Sequence, residues 1–300
     1  MPPTPLLRRV LSVAHDPLVD PARGRRLSRV MGWFDWRRQE QQYVDDVARA
    51  SHGMLRHQVV ERREYDTFPR KADGFAYDAA TYLRCWQRRA GFHDPDAVDY
   101  RALLDELDVA RRVDSGEIDE VWLFGFPYCG YYESMMAGPG AFWCNAPPLA
   151  DRCGRKYVVM GFNFEREVGC MLENLGHRAE SIMAHVYRDR SGERNLWERF
   201  TRYDQIAPGR ASCGNVHFAP NSTRDYDWGN PRPVSSDCDD WLRFPTLTGT
   251  RRPVMCHDWG NGDMRLHHLW WFERIPHVDG QTDGIANNWW RYIGDPNTVA

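Results

Sequence analysis

Glu173, His177 and Glu180 stand at spacings that suit one kind of chemistry, within the stretch Glu165–Val186. On a helix advancing about 100° per residue, His177 lies about +40° from Glu173 and Glu180 about −20°, so the three share about 60° of arc. Two carboxylates and an imidazole on one narrow face are donors that suit a divalent cation. Val168, Met171, Leu175, Ile182 and Val186 fall on the opposite side and predict the face turned to the core. Gly169 and Gly176 flank the polar stripe and predict that another segment approaches the helix there. An ordinary solvated face with an i,i+4 Glu–His pair gives the same stripe, so the metal reading requires a further ligand from elsewhere in the chain.

The second half offers that ligand. His217, in the short strand-like run Gly214–Phe218, is the first choice; His257-Asp258 is next, and His267-His268 follows because adjacent side chains diverge. The expected metal set is therefore Glu173, His177 and His217, with zinc as first guess and another divalent ion as the alternative. Glu180 is a ligand or an orienter of one, and with Glu133 it is a candidate for proton transfer. Glu133 sits in YYESMM, and aromatic, apolar surroundings there would raise its pKa and suit a general acid. Cys129 follows a strand and is a candidate nucleophile, but its flanks are Tyr128 and Gly130 rather than a G-x-C-x-G elbow.

These residues need a frame. Arg9–Ala14, His57–Glu64, Asp119–Gly125 and Lys156–Asn163 read as strands, the third with an acidic start, an apolar body and a glycine stop. Gln39–Ala50, Ala79–Arg89, Asp99–Leu107 and the Glu165 stretch read as helices. The Gly-, Pro- and aromatic-rich run from Phe126 to Pro148 reads as a loop at a strand end, where α/β folds place binding residues. After about Arg188 regular patterns fade and Asn, Asp, Gly, Pro and Trp dominate. The expected fold is α/β or α+β: a mixed sheet with covering helices and an irregular, aromatic-rich C-terminal third. It forms one domain over residues 1–300, with an α/β core to residue 187 and a loop-rich part, 188–300, packed onto it.

The order strand, turn, then a helix carrying Glu173-Asn174-Leu175-Gly176-His177 resembles the active-site helix of the zincin metallopeptidases, where HExxH follows an edge strand. The resemblance is confined to this stretch. It implies that His177 keeps the second metal-ligand position and that Glu173 takes the first. Asn174 stands where the family has its glutamate base, and asparagine cannot take up a proton. Hydrolysis in the family's manner would then need another carboxylate, Glu180 or Glu133.

Composition narrows the partners. The 300 residues are 42% hydrophobic and 27% charged, with net charge −3, which is globular and argues against binding nucleic acid through bulk positive charge. No run approaches the roughly 20 apolar residues of a membrane span, and MPPTPLLRRVLSVAHD lacks a signal peptide's apolar stretch. The eight cysteines form no CxxC pair, which predicts reduced thiols and a cytoplasmic protein, with a secreted form carrying one or two disulfides as the alternative. No GxGxxG, P-loop or GxSxG is present. Thus the leading reading is a metal-dependent hydrolase acting on a small molecule, peptide or glycan. A glycoside hydrolase is the second, with Glu133 and Glu173 as the pair and Trp143, Trp228, Trp289 and Trp290 as sugar platforms. A non-catalytic binding protein with a degenerate metallohydrolase site is the third.

Overall fold

The computed structural model describes residues 4–299. They form two compact units. One contains Arg8–Gln42 and His57–Asn174; the other contains the described residues up to Leu7, Tyr43–Arg56 and the chain from Leu175 onward.

The first unit is an α/β layer. In chain order it is built from β1 (Leu6–His15), β2 (Leu18–Asp20), β3 (Arg25–Arg26), α1 (Leu27–Met31), α2 (Trp36–Ala50) and β4 (Leu55–Tyr65). Then come α3 (Ala79–Arg88), α4 (Tyr100–Glu106), α5 (Val109–Asp114), β5 (Glu120–Gly125), β6 (Ser134–Ala137), β7 (Tyr157–Asn163) and α6 (Val168–Val186). Strands β1 and β4 and helices α2 and α6 each run into the second unit. The main sheet has the order β4-β1-β5-β7-β6. Strand β5 pairs parallel with β1 and with β7, and β6 pairs antiparallel with β7. Backbone bonds from Leu6 to Met54 and from Asp16 to Tyr65 set β4 parallel to β1.

Every residue of β5 is buried, as its continuous apolar run requires for a strand covered on both faces. Leu11, Val13, Val121, Leu123 and Val159 share one face with Leu103, Leu104, Val109 and Val113 of the short helices α4 and α5. At the start of β5, Asp119 accepts from the Arg9 backbone and guanidinium and from Arg155. Those contacts hold its carboxyl below the usual range against the opposing effect of burial.

The second unit adds α7 (Leu196–Phe200), β8 (Val234–Ser236), β9 (Arg252–Val254), α8 (Met264–Glu273), β10 (His277–Thr282), β11 (Ile285–Asn288) and α9 (Trp290–Gly294). Its core is aromatic: Phe200 packs edge-on against Trp241, Trp271 and Trp289. Among the described residues no helix is long and apolar enough to cross a membrane. All eight cysteines are free thiols.

Two local expectations are corrected. The Phe126–Pro148 run is not all loop, since Ser134–Ala137 inside it forms the edge strand β6. Gly214–Phe218 is not a strand: Asn215 Oδ1 accepts from the backbone N–H of His217 and Phe218, which closes a turn. The C-terminal third is aromatic-rich and largely irregular, as expected, with short regular elements set among its loops. Helix α8 is buried from His267 to Phe272, so no polar stripe marks its period.

Candidate metal centre and adjoining cleft

Helix α6 is buried over most of its length, and its polar stripe is not a solvated surface. Glu173 is 5% exposed and Asn174 8%, while His177 and Glu180 are half-buried. Of the expected core face, Val168, Met171, Leu175 and Ile182 are buried and Val186 is half-buried. The expected close approach occurs at Gly176. A Cβ there would lie 2.6 Å from Val216 Cγ2, so glycine is what lets the 214–218 turn rest on the helix.

That turn is pinned at both ends. Gly214 adopts φ +72°, and a Cβ on it would meet Phe218 O at 2.0 Å. The Val216 N–H donates to Glu180 Oε1 at 3.1 Å, and Val216 O lies 3.1 Å from His268 Nε2. His217 is thereby set against His177, the rings edge-to-face with centroids 4.8 Å apart. On the unbroken helix Glu173 stands one turn before His177. One ligand atom from each of Glu173, His177 and His217 lies within 4.8 Å of the other two.

Each imidazole has a carboxylate on Nδ1. Glu180 Oε2 is 3.1 Å from His177 Nδ1, and Asp225 Oδ1 is 3.1 Å from His217 Nδ1. A carboxylate at Nδ1 fixes the tautomer that makes Nε2 the metal-binding atom and increases its basicity. The Tyr226 hydroxyl lies 3.3 Å from His217 Nε2. Glu180 thus contacts a histidine and a backbone amide. Of the other histidines proposed as ligands, His267 is fully buried and stacks on Trp228, and His268 contacts the Val216 carbonyl.

A cleft of about 220 Å³ lies at the carboxyl ends of β5 and β7 in the first unit, where open α/β sheets place ligands. Phe126–Tyr131, Glu133, Asn163, Arg166, Glu173 and Asn174 are among the residues lining it. Buried Lys71 shapes the turn after β5: its ammonium donates to Asp96 O, Asp96 Oδ1 and Tyr128 O at 2.6–2.7 Å. Gly130 has φ +93°, and a Cβ on it would lie 2.1 Å from Asp96 O, so no other residue fits that turn unchanged.

Asn174 donates to Gly161 O at 2.6 Å, and the Gly161 N–H donates to Glu133 O. Gly161 thereby links the backbone beside Glu133 to the helix bearing Glu173. The amide that replaces the expected base is a structural clamp. Glu133 lines the cleft, but it is exposed and accepts from Asn145, so the apolar surroundings expected for it are absent.

Cys129 is buried, and burial pushes its thiol up to about 12, so it is no activated nucleophile. Trp228, Trp289 and Trp290 are buried core residues and present no platform; Trp143 is 59% exposed. Sequence reasoning missed Asp225 and Tyr226 as partners of His217, although both sit in the acidic-aromatic stretch that follows it.

No family model, no curated protein and no solved structure matches this chain.

Proposed function

We propose that this protein is a metal-dependent hydrolase whose ion, zinc as first candidate, is held by Glu173, His177 and His217. What supports this reading is the convergence of those three ligand atoms within 4.8 Å, two of them on imidazoles backed by carboxylates. Two imidazoles and one carboxylate suit a borderline divalent ion and leave a coordination position for water or substrate. Such an ion would polarise a substrate carbonyl and acidify water.

The chain's own groups do the rest. Glu180 and Asp225 are positioning residues that hold the two rings. Asn174 orders the cleft and cannot act as a base. Glu133, on the same cleft as Glu173, is the proton-transfer group in this reading. The zincin resemblance then extends to the metal helix and to His177 but not to the base. A small molecule, peptide or glycan remains the substrate class.

Metal analysis tests the reading. The purified protein should retain a stoichiometric transition metal, and His177→Ala should lose it with the fold intact by circular dichroism. No bound metal in the native protein, or equal content in the variant, sinks the proposal. A glycoside hydrolase keeps one supporting observation, the placement of Glu133 and Glu173 on a single cleft. It predicts that Glu133→Gln abolishes glycosidase turnover while chelators leave it unchanged.

A further inference from the structure

The cleft carries one cation that neither the metal set nor the proposed proton transfer uses. Arg166 lies in the turn between β7 and α6, is exposed, and lines the cleft. Its backbone is fixed: the N–H donates to Asn163 O, and the carbonyl accepts from Gln39. Its guanidinium lies against Cys170, another lining residue. Among the described residues no carboxylate pairs with it.

From this we infer that Arg166 is a specificity determinant that receives a carboxylate of the substrate in the cleft. The inference rests on the hydrolase reading for treating the cleft as a substrate site. Three observations shape it. A guanidinium without an acid partner is a preformed fork for a planar oxyanion. Glu133 and Glu173 line the same cleft, as does Asp96, whose carboxylate is paired with Lys71, so a singly charged carboxylate meets less repulsion there than a doubly charged phosphate. The volume, about 220 Å³, equals about seven waters at roughly 30 Å³ each, enough for a group of amino-acid size.

Titration calorimetry with N-acetylglycine, its neutral isostere N-acetylglycinamide and inorganic phosphate tests this on the full chain, with and without added zinc. N-acetylglycine should bind about ten- to a hundredfold tighter than the amide, the range of a charge-assisted pair. Arg166→Gln should erase that difference, and Arg166→Lys should restore part of it. The side chain is exposed, so both variants should fold. Equal binding of acid and amide, no binding of either, phosphate binding as tightly as the acid, or a preference that survives Arg166→Gln overturns the inference. If zinc is not retained while the Arg166-dependent preference persists, the metal reading fails and this one stands. If zinc binds and the preference is absent, the reverse holds.

Discussion

At the scale of single residues, the carboxylates behind the histidines matter as much as the ligands. Glu180→Gln keeps an acceptor for the Val216 N–H but removes the charge beside His177 Nδ1. Metal affinity should fall about 10- to 100-fold in a chelator competition while stability changes little. An affinity equal to the native value would show that Glu180 does not tune the ring. Asn174→Asp sets a carboxylate against Gly161 O in place of a donor. Urea titration should show a loss of about 1–3 kcal/mol, and an unchanged midpoint would contradict the clamp. Cys129 should react slowly with thiol reagents at pH 8 in the native state and quickly in denaturant, because burial keeps its thiol protonated. Of these residues, the stripe Glu173, His177 and Glu180 was legible from spacing. Asp225 was not, because its role depends on how a turn folds back on a ring rather than on any periodic pattern.

At the scale of elements, the centre is a helix and a turn that touch through one missing side chain. Gly176→Ala adds a Cβ 2.6 Å from a β-branched residue whose N–H and carbonyl are both engaged. Overpacking of about 1–3 kcal/mol should outweigh the roughly 1 kcal/mol of helix propensity that alanine brings. The variant should be less stable and bind metal more weakly, and a more stable variant with native affinity would refute this packing account. The strands and helices of the first half were readable because each presents one period over several residues. Strand β6 was hidden by the glycines and prolines around it. The β10–β11 hairpin left a signal that was available, Asp283-Gly284 between two extended runs. Both residues take positive φ, +50° and +81°, as a two-residue hairpin turn requires.

At the scale of the whole molecule, buried neutral histidines set the response to acid. Burial lowers His15 to about 4 and holds His267 well below its ordinary value. Both folded-state values lie below those of the unfolded chain, so the unfolded chain takes up protons first as pH drops. Stability is therefore complete above about pH 6.5 and falls toward pH 4, each group contributing up to about 1.4 kcal/mol per pH unit. Urea unfolding at pH 7.5 and 5.5, in chelator, should show the loss, and His267→Phe should reduce it. Equal stability at the two pH values would refute the assignment.

By itself the sequence determined the alternation of strands and helices in the first half and the one-face geometry of α6, because hydrophobic period is local information. It also placed His217 foremost among several histidines. The tertiary structure alone decided that the polar stripe is buried and that Gly176 admits the 214–218 turn. It alone decided that Glu180 and Asp225 back the two rings, that Asn174 clamps β7, and that three of the four supposed tryptophan platforms are core. The reason is physical: burial, approach and hydrogen-bond partnership depend on residues far apart in the chain, and no spacing within one segment encodes what will pack against it.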